Sequence, residues 1–336
     1  MRALRRARKR RQRNKNMLFK LIGNLIIATV ALQLIPGTWT EAIENREANP
    51  EIIMGRLLWN QDFAQSEDLR TAFSEGNDSA PIKVREESLG VRVSAASVIV
   101  VDAASGKILY EKDSDTPRSI ASLTKLMTAL VFLETEPNWE EAVNVGSCGQ
   151  FAYGKIKIKD IFSAALVASD NCAARELARQ TGLSGNEFAR AMNHRAESLG
   201  LSKTNFSDPT GLDAKNISTA LEVAKILREI LNWPKARNAA SQFYYEFSST
   251  AGRPYYAKST DDLLWSFIHK YPYEIVGGKT GTLGEAGYCL ALAVEKDGNE
   301  VIVVTLKNKS DYLRFHDAKS LAHWAFSVYE WPESYD

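Results

Sequence analysis

The chain has 336 residues, of which 45% are hydrophobic and 25% charged, a composition typical of a globular protein with a sizeable core. The net charge is only +1, but residues 1–16 hold nine lysines and arginines and no acid. The rest of the chain therefore carries 33 basic against 41 acidic residues and is net negative, which argues against nucleic acid as a partner.

The basic tail is followed at once by an apolar run at residues 21–35, a pattern typical of membrane targeting. Counted over residues 17–36, the run reaches the roughly twenty residues that a bilayer requires. The nearest small-x-small cleavage site, at Thr40 to Ala42, is poor, which favours an uncleaved membrane anchor over a cleaved signal peptide. Residues 1–16 would then be a cytoplasmic tail and everything beyond the anchor would lie outside the cytoplasm, or be exported if the segment is cleaved.

Residues 37–90 are mixed and acidic with glycine and proline breaks, so we expect a spacer in which only residues 52–59 favour a short helix. A folded domain is predicted for residues 91–331. It opens with a β-branched run at residues 95–102, a short turn and a second strand at residues 107–111, which together predict a β-hairpin.

The hairpin leads to a predicted helix that begins with Ser122. Residues three apart share a helix face, so the Ser122 hydroxyl and the Lys125 amine would meet at the mouth of this helix. The apolar residues from Leu126 to Leu133 would bury the helix, and burial favours the neutral form of a lysine. A neutral lysine can accept a proton from a serine, but a four-residue Ser-x-x-Lys pattern is weak evidence by itself.

The middle of the chain is predicted to be helical. Helices are expected at residues 160–168, 172–180 and 184–199, and a fourth begins after Thr219 and is ended by Pro234. The third and fourth begin with Ser-x-x-Glu and Thr-x-x-Glu, which are typical of helix N-termini.

The last third returns to strands, predicted at residues 274–281, 286–296 and 300–306, with an Asp-Gly turn between the last two. An amphipathic helix is expected over residues 312–331. Strands at both ends with helices between them predict an α+β fold: an antiparallel sheet built from both chain ends, flanked by helices, with an inserted helical subdomain.

Three cysteines, Cys148, Cys172 and Cys289, are present without C-x-x-C spacing, which excludes a cysteine metal site and a disulfide framework. One disulfide is compatible with the count. Because Cys172 and Cys289 lie inside apolar patterns, we interpret the cysteines as buried free thiols. His-Glu-x-x-His is absent, and no metal or cofactor is expected.

Acyl transfer at a serine needs a base, a proton relay, an oxyanion hole and a group that holds the charge of the substrate. The four histidines lie in no triad context and no G-x-S-x-G motif is present, so a lysine must be the base of such an enzyme. Two further motifs stand at suitable positions. Ser169-Asp170-Asn171 lies in a break between two predicted helices, and Lys279-Thr280-Gly281-Thr282 lies on a predicted strand.

Ser-x-x-Lys, Ser-x-Asn and Lys-Thr-Gly in this order constitute the penicillin-recognising signature. Over roughly residues 90–331 the chain resembles the low-molecular-mass penicillin-binding proteins, which are serine D-alanyl-D-alanine carboxypeptidases and their endopeptidase relatives. The resemblance implies a β-lactamase/transpeptidase-like fold, peptidoglycan stem peptides as substrates and β-lactams as covalent inhibitors.

The resemblance also implies a role for each motif residue. Ser122 would attack the carbonyl of the penultimate D-alanine, and Lys125 would be the base, kept neutral partly by the positive charge of Lys279. Ser169 would relay the proton to the leaving amine. Asn171 would hold Lys125 and the substrate amide.

The Lys-Thr-Gly strand would bind the rest of the substrate. Lys279 and Thr280 would face the substrate carboxylate, and the backbone N–H groups of Ser122 and Thr282 would form the oxyanion hole. Gly281 would let the substrate lie against the strand.

Two departures bear on specificity. Carboxypeptidases of this family often carry Asn-Arg-Asn-Gly where residues 259–262 read Ser-Thr-Asp-Asp, so an arginine that could grip a free terminal carboxylate is missing. Ser-Asp-Asn also replaces the Ser-Gly-Asn of many carboxypeptidases. We expect a D-alanyl-D-alanine carboxypeptidase, with an endopeptidase that cuts cross-links as the alternative.

More distant alternatives are a serine β-lactamase and a non-catalytic wall-binding or antibiotic-sensing module. A class A β-lactamase shares Ser-Asp-Asn but needs a glutamate in an E-x-x-L-N context, where residues 205–210 read Asn-Phe-Ser-Asp-Pro-Thr. The presence of every catalytic residue type argues against the non-catalytic module.

Overall fold

The computed structural model describes residues 80–146, 148 and 154–332. The predicted tail, the predicted anchor and the helix predicted at residues 52–59 lie outside the described part of the chain. Within the described part, no helix is both long enough and apolar enough to cross a bilayer.

The described residues form thirteen strands: β1 (Ile82–Lys83), β2 (Ser97–Asp102), β3 (Ile108–Lys112), β4 (Arg118–Ser119), β5 (Ala142–Asn144), β6 (Lys155–Lys157), β7 (Ile217–Ser218), β8 (Tyr244–Ser248), β9 (Pro254–Lys258), β10 (Tyr273–Leu283), β11 (Gly287–Lys296), β12 (Asn299–Asn308) and β13 (Tyr329–Glu330). They also form seven α-helices: α1 (Thr124–Leu133), α2 (Ile158–Val167), α3 (Asn171–Gln180), α4 (Gly185–Ser198), α5 (Ala220–Leu231), α6 (Pro234–Ala240) and α7 (Asp311–Val328). Short 3-10 turns occupy Ala121–Leu123, Asp262–Trp265 and Phe267–His269.

The central sheet has five strands in the order β10-β11-β12-β2-β3, and every neighbouring pair is antiparallel. Its strands come from both ends of the domain, which confirms the predicted α+β fold. Alternate residues of β2 pack into two separate hydrophobic clusters: Ile99 and Val101 face the inserted helices, whereas Val98 and Val100 face α7. Because both faces are covered, the strand reads as a continuous apolar run.

The closing helix α7 follows the predicted spacing, with Ala318, Leu321, Ala325 and Val328 all buried. It ends at Val328 rather than at residue 331, because the chain continues as β13 and pairs with β1. Residues at the end of the predicted spacer therefore take part in the folded body.

The inserted helices confirm two predicted N-termini. A capping box starts α4 at Ser184, and Thr219 caps α5. Pro234 does not simply end a helix: α5 ends at Leu231, and Pro234 is the first residue of α6, where its missing N–H requires no partner.

The β8–β9 hairpin was not predicted. One face of it, with Phe247, Tyr255 and Ala257, is buried against the helices, while the opposite face is exposed and mixes aromatic with polar residues. This mixture hides the period-two pattern in the sequence.

The interpretation of all cysteines as free thiols is wrong for two of them. Cys148 and Cys172 form a disulfide with a Cα–Cα distance of 5.7 Å, and Cys289 is a buried free thiol. Cys172 lies in the first turn of α3 and is only half-buried, so its apolar neighbours do not enclose the sulfur. The bond adjoins Asn171, a predicted site residue.

We expect alkylation to count these thiols. Without reductant the native protein should take up no alkyl group, because Cys289 is buried, and the unfolded protein should take up one. Reduction before unfolding should raise the number to three and should lower the free energy of unfolding by about 3 kcal/mol, since the disulfide closes a loop with a sequence separation of 24. Mass spectrometry and thermal unfolding would measure both. Uptake of three groups without reductant would contradict the disulfide.

Candidate active site

Ser122 is presented by a strained turn at the entrance of a buried helix. The predicted helix starts with Ser122, but the structure places the residue in the 3-10 turn Ala121–Leu123 and begins α1 at Thr124. Ala121 has φ +49°, a backbone conformation that is costly for a residue other than glycine. Gly211, at φ +82°, lies directly against the Ala121 carbonyl, where any side chain would overlap it. The packing around the turn therefore fixes the position of the serine.

The Lys125 side chain is fully buried and reaches three acceptors. Its Nζ lies 2.9 Å from Ser122 Oγ, 2.7 Å from Asn171 Oδ1 and 2.7 Å from the Thr210 carbonyl oxygen. Burial lowers the pKa of Lys125 to about 8. The structure thus joins three of the predicted site residues at one amine.

This geometry suits a proton acceptor. A neutral amine has two N–H donors and one lone pair. The Asn171 and Thr210 oxygens can only accept, so they take both N–H groups and leave the lone pair directed at the Ser122 hydroxyl. Lys125 is then placed to receive the serine proton.

The charges around Lys125 differ in part from those predicted. After burial, the nearby carboxylates of Asp170 and Asp208 raise the pKa of Lys125, and Arg175 lowers it. Lys279 and Lys125 also repel each other, an effect that lowers the pKa of Lys279. Burial is therefore the main cause of the lowered pKa of Lys125, and Arg175 rather than the predicted Lys279 is the cation that lowers it further.

The Ser-Asp-Asn motif lies between α2 and α3. Ser169 has φ +56°, and Asp170 caps α3 by accepting the Ala173 N–H at 2.8 Å. Asp170 therefore stabilises the start of the helix and has a structural role in the motif. Asn171, the first residue of α3, is thereby placed against Lys125.

The stretch from Ser207 to Leu212 belongs to the family resemblance, but the sequence assigned no role to the residues in it that place the Thr210 carbonyl. Asp208 accepts hydrogen bonds from the backbone N–H groups of Thr210, Gly211 and Asp213 at 2.5, 2.9 and 2.8 Å. Burial raises the pKa of Asp208, but the hydrogen bonds from the Thr210 hydroxyl, from the backbone N–H groups of Asp213 and Thr210 and from Asn216 outweigh it and lower the pKa. The Asp-Pro-Thr-Gly stretch was the available signal, since aspartate followed by proline and glycine is typical of a tight turn.

The Lys-Thr-Gly motif occupies β10, an edge strand of the central sheet. The Lys279 side chain is buried, and its Nζ donates to the Thr280 carbonyl at 3.1 Å. Burial, followed by the repulsion of Lys125 and Arg314, lowers the pKa of Lys279. A bound carboxylate would offset that repulsion, so the position favours an anionic ligand.

The two threonines of the strand contact other elements. Thr280 Oγ1 lies 2.5 Å from Thr260 Oγ1, and Thr282 Oγ1 accepts a hydrogen bond from Arg314 at 2.9 Å. Arg314 also donates to the Gly281 carbonyl at 3.2 Å. Sequence reasoning missed Arg314, whose signal was a cation among the mainly apolar buried residues of α7.

Gly281 has a packing role that the sequence did not predict, beside the predicted one toward the substrate. A side chain at this position would point at the serine turn. Its Cβ would lie 2.8 Å from the Ile120 carbonyl oxygen and 3.2 Å from the Ser122 nitrogen. Glycine therefore lets β10 lie against the backbone N–H of Ser122.

Gly281→Ala should slow acylation of Ser122 by at least about tenfold, because the added methyl group displaces the turn that carries the nucleophile. The rate of labelling by a fluorescent penicillin measures the effect. Gly284→Ala is the matched control, since a Cβ at Gly284 meets no atom within 4 Å. Equal labelling rates for the two variants would contradict this packing argument.

Among the described residues, no group of three or more histidines, cysteines, aspartates or glutamates could hold a metal ion. The chemistry that the described side chains support is nucleophilic catalysis by a serine with a lysine base.

Comparisons with known proteins agree with this geometry. The family model described as D-alanyl-D-alanine carboxypeptidase, Peptidase S11, matches residues 83–310. A D-alanyl-D-alanine endopeptidase of Escherichia coli is 30% identical over 245 residues, which cover 69% of this chain and 77% of the relative. A D-alanyl-D-alanine carboxypeptidase of Bacillus subtilis is 29% identical over 255 residues, covering 70% and 63% respectively.

A penicillin-binding protein of Listeria monocytogenes, solved in its ampicillin-bound form, has a similar structure. The TM-score is 0.63 at 30% identity, and the match covers 71% of this chain and all of the other. Fold, site geometry and family model agree, and the chain therefore belongs to the D-alanyl-D-alanine carboxypeptidase family of serine peptidases.

Proposed function

We propose that the protein is a serine D-alanyl-D-alanine carboxypeptidase that acts on peptidoglycan stem peptides and is acylated by penicillins. The observation that carries this proposal is the buried Lys125 amine, which lies 2.9 Å from Ser122 Oγ and has the Asn171 and Thr210 oxygens, each at 2.7 Å, as its other two partners. The Lys-Thr-Gly strand lies against the same serine turn.

In the proposed reaction, Ser122 Oγ attacks the carbonyl carbon of the penultimate D-alanine while Lys125 takes the hydroxyl proton. The negative oxygen that forms is bound by the N–H groups of Ser122 and Thr282. The C–N bond then breaks, and Ser169 passes a proton to the leaving amine. Water hydrolyses the ester and regenerates the serine.

The remaining residues bind the substrate. Lys279 and Thr280 hold the carboxylate of the leaving D-alanine through a charge-assisted hydrogen bond and a neutral one. Asn171 contacts the substrate amide as well as Lys125. The free edge of β10 offers backbone groups to which an extended peptide can bond as an additional strand.

A second candidate is a D-alanyl-D-alanine endopeptidase, favoured by the contact between Thr260 and Thr280. Thr260 occupies the position where the carboxypeptidase pattern has an arginine. A threonine cannot form an ion pair with a terminal carboxylate, so the site has less means of demanding a free chain end.

Digestion of two defined muropeptides tests both candidates. Release of D-alanine from a pentapeptide monomer identifies the carboxypeptidase, and conversion of a cross-linked dimer to monomers identifies the endopeptidase. Mass spectrometry distinguishes the products. No product from either substrate would favour a non-catalytic wall-binding module, and rapid release of hydrolysed penicillin would favour a β-lactamase.

We also propose that residues 17–36 anchor the protein in the cell membrane with residues 91–331 outside the cytoplasm. The Cys148–Cys172 disulfide supports this location, since disulfides persist in oxidising compartments. Full-length protein should pellet with membranes and resist carbonate extraction. A variant without residues 1–36 should remain soluble, and membrane association of that variant would contradict the proposal.

A further inference from the structure

One buried carboxyl group beside β10 has no part in the steps above. Asp261 is 5% exposed and precedes the 3-10 turn Asp262–Trp265. Its Oδ1 accepts the Leu263 N–H at 2.9 Å, whereas its Oδ2 has no hydrogen-bond partner. A buried, unpartnered carboxylate oxygen is costly, and an asparagine or a serine would cap the turn as well. The charge of Asp261 therefore calls for a reason other than capping.

The position of the carboxyl group supplies that reason. A Cβ at Gly278 would lie 3.1 Å from Asp261 Oδ2, so the group packs against the backbone of β10 one residue before Lys279. Adjacent Cα atoms are about 3.8 Å apart, which places Oδ2 within about 9 Å of the Lys279 Cα. Thr260, which precedes Asp261 in the chain, contacts Thr280 of β10.

Around Lys279, positive charges outnumber negative ones. Lys279 is buried, and two further cations, Lys125 and Arg314, act on it and lower its pKa. Asp261 is the acid that opposes them. Burial raises the pKa of Asp261 to about 6, with Asp262 raising it further and Arg314 and Lys279 lowering it, so its charge is present above about pH 6.

We propose that Asp261 is a positioning residue of the active site: its carboxylate, packed behind β10, keeps Lys279 in the ammonium form that binds the carboxylate of the substrate or of a penicillin. Asp261 does not touch the ligand and acts on its binding through Lys279, beside its attraction for Arg314. Carboxypeptidases of this family often have an asparagine, which carries no charge, at this position. The inference rests on the proposed function.

Asp261→Asn tests the charge. Without the carboxylate, Lys279 should lose its proton at lower pH, because a negative neighbour that had raised its pKa is gone. The alkaline limb of the acylation rate with benzylpenicillin should move down by about one pH unit. Above that limb the apparent affinity should fall about tenfold, with little change in the limiting rate. Below about pH 6 the variant and the wild type should converge, since the wild-type carboxyl group is then protonated.

Two controls separate this effect from a structural one. Asp262→Asn removes an exposed carboxylate one residue away and should leave the alkaline limb unchanged, since Asp262 acts on Asp261 and not on Lys279. The methyl ester of benzylpenicillin lacks the carboxylate, so its slower acylation should be equal in wild type and Asp261→Asn. If Asp261→Asn does not fold, Asp261→Ser, which keeps a cap acceptor, carries the same test.

The outcomes distinguish the two proposals. A wild-type protein that no penicillin acylates would overturn the proposed function. A wild-type protein that is acylated, with an identical pH profile in Asp261→Asn, would overturn only the role of Asp261. An equal loss with benzylpenicillin and its methyl ester would also overturn it, because that result indicates damage to the site rather than a changed charge on Lys279.

Discussion

Ser122→Ala should abolish covalent labelling by a fluorescent penicillin, a loss of at least about 10⁴-fold in the acylation rate. The bond to the β-lactam carbonyl is made by Ser122 Oγ, and the buried Lys125 amine lies behind it with its N–H groups bonded to Asn171 and Thr210. Intact-mass measurement should show one added penicillin in the wild type and none in the variant. The melting temperature should change little, since the hydroxyl contributes a single hydrogen bond.

Ser119→Ala is the matched control for this variant. Ser119 lies three residues earlier, on β4, and its buried hydroxyl has no hydrogen-bond partner, so its loss should alter neither labelling nor stability. A label that survives Ser122→Ala would contradict the assignment of the nucleophile, and peptide mapping would then identify the residue that carries it.

The central sheet was predictable because its strands and turns have clear local sequence signals. The run from Val98 to Val101 is β-branched throughout, and an Asp-Gly turn joins β11 to β12, so local chemistry and tertiary packing agree. The hairpin of β8 and β9 was missed because its exposed face mixes the aromatic residues Tyr244 and Tyr256 with polar ones, which hides the alternation of its buried face. Pro234 was interpreted as the end of a helix, but it begins the next one. Proline is common both after a helix and in the first turn of a helix, so the residue alone does not distinguish the two.

The sequence predicted the motif residues of the site but not the residues that hold them in position. Ser122 and Lys125 are three residues apart, so the helix period brings them together. The Thr210 carbonyl and Asp261 come from loops whose paths depend on long-range packing. The close approach of Gly281 to the serine turn likewise depends on how β10 packs against that turn. No local pattern in the sequence encodes these contacts.

Lys125→Arg should lower the acylation rate by about 10²–10⁴-fold while keeping the positive charge and the length of the side chain. An arginine keeps its proton at any pH that a protein tolerates, so it cannot accept the proton of Ser122. Lys159→Arg, on the surface and paired with Glu140, is the control and should label as the wild type does. Stopped-flow acylation by a chromogenic cephalosporin would measure both variants.

The pH dependence gives the sharper test of this lysine. Its pKa is lowered to about 8, so the wild-type acylation rate should rise with pH through about 8 as the neutral amine becomes available. The unfolded chain has a lysine pKa near 10.5, so below pH 8 the folded state must bind a proton that burial disfavours, at a cost of roughly 3 kcal/mol. That cost disappears as pH rises from 8 to 10.5. Stability and acylation should therefore both increase above neutral pH in the wild type. Lys125→Met should lose the rise in acylation and weaken the rise in stability, of which the buried Lys279 carries another part. A rising limb that persists in Lys125→Met would assign the base to another group.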